Sequence, residues 1–239
     1  MCGRYSNAKA LKKLAQKARV VEPLGLFAPR HNIAPTQLAP VIFQEQSGPV
    51  MKLMRWGFPT RGARGGGAGP LLINARAETI ATKPAFQRAF QERRCLVPAD
   101  GFYEWQERAG QRQPFRITLA SGEPFCFAGL WEPPPGAGTP EPPGHLENAV
   151  ATFTIITTAA NAAMSPLHTR MPVMVGPEDY AIWLADDSFA TVLANPFAAP
   201  LKIHPVSPLV NSPANDDPRC LEPVPLERDL FERPWWSAG

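Results

Sequence analysis

No stretch of this 239-residue sequence approaches the ~20 consecutive apolar residues that a membrane-spanning helix requires. Its N-terminus also lacks the apolar run of a secretory leader. A protein that neither spans a membrane nor is secreted by that route is therefore expected. Cysteine is scarce: Cys2, Cys95, Cys126 and Cys220 lie far apart and form no CxxC pair. That spacing argues against a metal site and against a disulfide framework, and it points to thiols kept reduced in the cytoplasm. A strong excess of charge is missing as well, because 24 Lys and Arg face 21 Asp and Glu. Such a balance permits a polyanionic partner without requiring one. The Gly-rich run RGARGGGAGP lacks the GK[ST] ending of a phosphate-binding loop, and no internal repeat is visible.

Proline is what the sequence has in excess: 29 residues, against about 5% in ordinary usage. Distributed along the whole chain, the prolines exclude long helices and favour short strands with many turns. Leu11, Leu14, Ala15 and Ala18 recur at helical spacing, and the Lys9, Lys12, Lys13, Lys17 face reads as solvated. PVIFQ and VMKLMRWGF, joined by EQSGP, predict a hairpin. KPAFQRAFQ predicts a helix with Pro84 in its first turn. RCLVPADGFYEW, PFRITLA, FCFAGLWE, TFTIITT, PVMV and LKIHPVSPLV read as further strands, and PEDYAIWLAD as a helical region. This pattern predicts an α+β fold: one domain over 1–239, with a largely antiparallel, barrel-like β core and a few short flanking helices. Residues 62–70 read as a Gly-rich loop, 133–145 as a Pro/Gly-rich loop and 218–239 as a C-terminal tail.

Candidate chemistry begins with MCGRY. If Met1 is removed, Cys2 carries an α-amine and a thiol on adjacent carbons. Unperturbed, these titrate near ~8 and ~8.5, so amine and thiolate coexist around neutral pH. An aldehyde meeting the pair forms an imine with nitrogen, which sulfur closes to a five-membered thiazolidine. The competing reading is a buried, inert thiol. In GFYEW, strand alternation puts Phe102 and Glu104 on one face and Tyr103 and Trp105 on the other. Glu104 is either solvent-facing or, among aromatics, raised in pKa for proton transfer. Asn74 and Arg76 sit two apart in LLINARAET, where Asn74 reads as a turn residue and Arg76 offers a fork suited to phosphate. His168 and Arg170 repeat that spacing in SPLHTRMPV, and His168 is either structural or catalytic. Arg55 and Trp56 in RWGF suit backbone contact and base stacking on single-stranded nucleic acid, or for Trp56 a place in the core.

Taken in order, MCGRY, NIAPTQ, RWGF, NARAET, RCLVPADGFYEW and HTRMPVMV resemble the SOS response-associated peptidase family of abasic-site processing proteins. The resemblance runs from Met1 to about NDDP. It implies an α+β domain that recognises abasic sites in single-stranded DNA, notably near junctions with duplex, as a monomer without cofactor or metal. It further implies removal of Met1 and covalent joining of Cys2 to the ring-opened sugar. By motif, Cys2 is then the nucleophile, Asn74 a hydrogen-bonding positioner and Glu104 the proton-transfer carboxylate, with His168 assisting ring opening and reversal. Arg4 and Arg76 would hold phosphates, with Trp56 at the DNA surface and Arg55 and Arg170 as further contacts. The Gly-rich and Pro-rich insertions depart from the family pattern. Three other classes remain compatible with MCG: an N-terminal-nucleophile amidohydrolase, a peptidase acting on its own N-terminus, and a non-covalent single-strand-binding module.

Overall fold

The computed structural model describes residues 2–9, 11–21, 27–60, 69–108, 110–134 and 150–225. Met1, most of the Gly-rich loop, the Pro/Gly-rich loop beyond Pro134 and the tail beyond Pro225 lie outside the described residues. The chain opens with β1 (Tyr5–Ser6), α1 (Leu11–Lys17), β2 (Leu38–Glu45), β3 (Gly48–Trp56) and β4 (Asn74–Arg76). Next come α2 (Pro84–Glu92), β5 (Arg94–Ala99), β6 (Gly101–Arg108), β7 (Gln111–Leu119) and β8 (Phe125–Glu132). The last elements are β9 (Thr152–Ala159), β10 (Arg170–Pro172), β11 (Met174–Val175), α3 (Tyr180–Ala185), α4 (Ala190–Ala194) and β12 (Leu201–Pro205).

Two sheets result. The larger has the order β10-β9-β3-β2-β5-β8-β11, and a further β8–β9 pairing closes β9, β3, β2, β5 and β8 into a ring. The ladders are antiparallel except where β9 runs parallel to β3 and β4, which makes this sheet mixed. Closure leaves fewer unpaired strand edges to protect, and the ring fills with apolar side chains. Val41, Phe43, Val50, Trp56, Val97, Phe127, Phe153 and Ile155 lie in that core. Gly129 sits where β8 crosses β9, and a Cβ there would stand 2.9 Å from both Cys95 Sγ and Thr154 O. The second sheet, β1-β6-β7-β12, is antiparallel throughout. On the outer side of the ring, α2, α3 and α4 cover a second apolar cluster that includes Phe86, Phe90, Trp183 and Phe189.

The α+β class stands. Three predicted elements differ in detail, each for a local reason. RCLVPADGFYEW is two strands in different sheets, broken at Asp100. The Asp100 carboxylate accepts hydrogen bonds from Ser6 Oγ (2.6 Å), the Lys9 backbone N–H (2.6 Å) and Arg116 Nη2 (2.8 Å), and these hold the chain at a corner. PVMV is split, because β10 pairs with β9 while β11 pairs with β8. LKIHPVSPLV ends as a strand at Pro205. Ser207 then caps a 3-10 turn, Pro208–Asn211, by accepting from Leu209 N–H.

Candidate active site

The short N-terminal strand positions the site. Tyr5 pairs with Phe102 and Ser6 with Gly101 in an antiparallel ladder, and Tyr103 N–H donates to the Arg4 carbonyl (3.0 Å). Residues before Tyr5 therefore run back along β6 toward Glu104 and Trp105. Because β1 is only two residues long, no further strand among the described residues covers the outer edge of β6 there. A cleft of about 550 Å³ opens at this edge, lined by Gly3, Arg4, Glu104, Trp105, Arg112, His168 and Asn211.

Cys2 is fully buried beside the cleft. Burial pushes its thiol well up from the ordinary range, and the neighbouring Glu104 charge pushes it further. The expected strand alternation holds. Phe102 and its cross-strand neighbours face the ring core, and Glu104 shares that face with only 4% exposure. Glu104 stands opposite Phe115 on β7, and burial raises its carboxyl to about 7. A carboxylic acid at that value is part protonated and part ionised at neutral pH, which is what a group that both gives and takes a proton needs.

His168 closes a turn begun by Asn161, whose Oδ1 accepts from Met164 N–H (3.0 Å), and His168 N–H donates to the Met164 carbonyl (3.0 Å). The Arg170 backbone N–H donates to His168 Nδ1 (2.9 Å). Nδ1 also lies 3.2 Å from the Arg170 carbonyl. Partial burial is the main cause that lowers the His168 pKa, which favours the neutral ring.

Arg4 is 8% exposed, and its Nη1 donates to Asn32 Oδ1 (2.7 Å) and to the Val210 carbonyl (2.6 Å). Asn74 opens β4 opposite Ile155 and is not among the residues lining the cleft. Its Nδ2 donates to the Ile73 carbonyl (2.9 Å), while Oδ1 is buried with no hydrogen-bond partner. Arg76 is exposed two residues further on.

The remaining expected DNA contacts are held in structural roles. Trp56 has no exposed surface, so it does not form a DNA-facing surface. Its ring stacks on Phe153 at 6.1 Å between centroids, and its Nε1–H donates to the Ile73 carbonyl (2.9 Å). The reason is strand parity, since the Trp56 side of β3 faces the ring interior. Arg55, on the opposite side, is exposed, and its Nη1 donates to the Thr36 carbonyl (2.8 Å). Thr36 adopts a left-handed φ of 74°, strained for a β-branched residue, and this contact helps to hold it. Arg170 forms a bidentate pair with Glu78 at 2.9 Å for each bond, and its Nη2 also donates to the Thr157 carbonyl (2.5 Å). That pairing keeps the Glu78 carboxyl below its usual range.

Three cleft residues escape the sequence reading. The Trp105 ring lies 5.8 Å from the Arg4 guanidinium and 5.7 Å from that of Arg112, and Nε1–H donates to Asn211 Oδ1 (2.6 Å). Alternation separates Trp105 from Glu104, so only the uncovered edge of β6 brings both to one cleft. The usable signal was the β6–β7 hairpin, whose register sets Arg112 two pairs beyond Trp105 and Pro114, on the same face. Among the described residues no group of three or more His, Cys, Asp or Glu could hold a metal ion.

Comparison with known proteins agrees with this architecture. The chain is 36% identical over 230 residues to the abasic site processing protein YoqW of Bacillus subtilis, covering 93% of this chain and 99% of that protein. It is 29% identical over 243 residues to the abasic site processing protein YedK of Escherichia coli, covering 94% and 100%. A crystal structure of a protein from Bacteroides thetaiotaomicron superposes with a TM-score of 0.70 at 23% identity, over 93% of this chain and all of that one. The family model described as SOS response associated peptidase (SRAP) matches residues 1–213, and the chain belongs to that family.

Proposed function

We propose that this protein caps abasic sites in single-stranded DNA by a covalent thiazolidine link to Cys2, after Met1 has been removed. The observation that carries this reading is the buried Glu104 carboxyl, near 7, beside Cys2 at a cleft that also holds His168. Relatives named for abasic-site processing supply the substrate class. An abasic sugar in its open form presents an aldehyde at C1′, with no base to obstruct close approach.

The freed α-amine attacks that carbon. Glu104 as an acid protonates the leaving hydroxyl of the carbinolamine, water departs, and an imine remains. The Cys2 sulfur then adds to the imine carbon as its proton moves to nitrogen. Aldehyde, amine and thiol thus yield one thiazolidine and one water. An imine alone is prone to β-elimination and strand cleavage, and sulfur closure removes that route. His168, which lines the same cleft, helps ring opening and the reverse reaction. Asn74, set back from the cleft, takes the part of a hydrogen-bonding positioner. Arg76 supplies a phosphate contact, and Trp105, with the Arg4 and Arg112 guanidiniums near its ring, offers an aromatic contact for an adjacent base. A junction with duplex, where the strand bends away, suits a cleft at a sheet edge, and one chain carries the whole site.

A denaturing gel with abasic single-stranded DNA tests the reading. The wild-type protein gives a covalent shifted band, and Cys2→Ala gives none while retaining binding. An unchanged band from Cys2→Ala sinks the mechanism. Intact mass adds a second readout: competent protein lacks Met1, and the adduct mass corresponds to loss of one water. The same residues are proposed to release Met1, and Glu104→Gln purified with Met1 attached would support that step. A processed Glu104→Gln chain assigns the removal to an aminopeptidase.

A further inference from the structure

At the opposite end of the four-stranded sheet lies a second cleft, of about 230 Å³, whose lining includes Lys9, Asp100, Arg116, Thr118, Lys202 and His204. Register builds it. Lys202 stands opposite Thr118 and His204 opposite Arg116 on β12 and β7, so alternation turns all four toward one face. Asp100 is the carboxylate in this lining, and its oxygens are already engaged by Ser6, Lys9 N–H and Arg116. It offsets the Arg116 charge and leaves the Lys9 and Lys202 ammonium groups, which form no ion pair among the described residues. Both lysines are exposed at the rim.

Arg116 is fixed in place. It is 8% exposed, and Nη2 donates to Asp100 Oδ1 (2.8 Å), the Asp100 carbonyl (3.2 Å) and Ser6 Oγ (3.3 Å). Its guanidinium lies against Gly101, where a Cβ would stand 2.9 Å from Nε. Arg116 Nε and His204 Nδ1 are buried without a hydrogen-bond partner. A purely structural Arg–Asp pair would not need two more uncompensated cations around it. An anion seated in this cleft would lie beside the like charges of Arg116, Lys9 and Lys202.

We infer that this cleft takes a backbone phosphate of the DNA strand away from the lesion, an inference that rests on the proposed abasic-DNA reading for the identity of the anion. Trp105 at the reaction cleft and Gly101 beside Arg116 are four residues apart on β6, about 13 Å at ~3.3 Å per residue. Phosphates on one duplex strand advance ~3.4 Å each along the helix axis, and an extended single strand spaces them about twice as far apart, so the two clefts are separated by about two nucleotides of single strand. Lysines on flexible stems at an open rim suit a polymer that passes over the cleft, in contrast to a small anion enclosed by it.

The test uses full-length protein and a strand bearing a non-reactive abasic analogue. Wild type and the Lys9→Ala/Lys202→Ala double variant are compared across salt concentrations. On a strand extending about eight nucleotides to each side, the variant should bind several-fold more weakly. The slope of log K against log salt should fall by about 0.7 for each phosphate that the variant no longer neutralises. On a strand extending about one nucleotide to each side, too short to reach the second cleft, the two proteins should bind alike. An unchanged slope on the long strand overturns the inference, and so does an equal loss on both strands. Inorganic phosphate is the second probe. Saturable perturbation of the His204 ring resonances that is lost in the variant, with DNA slopes unchanged, assigns the cleft to a free anion and also overturns it. Failure of the Cys2 reading would show separately, as no covalent band with a reactive abasic strand, because the salt slopes use a ligand that cannot react.

Discussion

Arg4 and Asn32 meet inside the protein, with Arg4 Nη1 donating to Asn32 Oδ1 at 2.7 Å, and this contact joins the N-terminal strand to the C-terminal segment. Asn32 is fully buried, and its Nδ2 donates to the carbonyls of Asn215 (2.6 Å), Ser212 (3.0 Å) and Val210 (3.3 Å). Asp216 completes the clamp by accepting from Arg30 Nε, the His31 backbone N–H (2.5 Å) and the Asn32 backbone N–H (2.9 Å). The two residues before Arg4 are therefore held from behind by a loop more than 170 positions away.

Asn32→Ala removes the Arg4 acceptor and strands carbonyls that are now satisfied. Each buried group left unpaired costs about 1–3 kcal/mol. Urea unfolding should show a loss of at least ~2 kcal/mol, and the adduct should form more slowly in protein that is still folded. Unaltered adduct kinetics in the folded variant would mean that the clamp does not position Cys2.

A buried carboxyl and a half-buried imidazole titrate in overlapping windows with opposite sign. Burial raises Glu104 from its ordinary value of 4.5 to about 7, so the folded state holds a proton that the unfolded state releases. Its contribution is full at low pH and is lost as pH rises from about 4.5 to 7, an effect on the order of 3 kcal/mol. Burial lowers His204 to about 4, so its contribution is full above about 6.5 and is lost as pH falls toward 4. The wild-type stability should therefore vary little between pH 4.5 and 6.5 from these two groups. Glu104→Gln should expose a loss toward acid, and His204→Gln a loss toward neutral pH. Thermal denaturation across that range reads both, and matching profiles for all three proteins would refute the assignment.

Trp105→Ala removes the ring that lies near the Arg4 and Arg112 guanidiniums. A base–aromatic stack contributes about 1–3 kcal/mol, so affinity for abasic single-stranded DNA should fall between about fivefold and 150-fold. Adduct yield at saturating DNA should be retained. An unchanged Kd would show that no base stacks there.

Trp56→Phe separates a core role from a surface one. It keeps a buried ring but deletes the Nε1–H donor to the Ile73 carbonyl, which Asn74 Nδ2 also uses. Stability should fall by roughly 1–3 kcal/mol, with DNA affinity unchanged. A large affinity loss without destabilisation would return Trp56 to the DNA surface.

Local patterns were legible in the sequence where local physics decides. The Leu11–Ala18 spacing gave α1, Pro84 marked the start of α2, and the alternation of GFYEW placed Glu104 and Trp105 on opposite faces. What sequence could not supply was pairing over long distances. Nothing in PVMV says that its two halves join different strands, and nothing in RWGF says which side of β3 meets the ring core. Arg170 looked available because its carboxylate partner, Glu78, lies 92 positions away. Trp105 and Arg112 were overlooked because a cleft at an uncovered strand edge arises only after β1 is seen to stop at Tyr5.

Glu132 at the end of β8 stands opposite Thr152 at the start of β9, so residues 133–151 bridge two points already brought together by the hairpin. Closing such a connection grows costlier only slowly with length, by about 0.6 kcal/mol for each doubling. A reporter or affinity module spliced into this segment should therefore be carried at little thermodynamic expense. It would label the protein while leaving the amino end bare, where any conventional tag would occupy the very nitrogen on which the proposed chemistry depends.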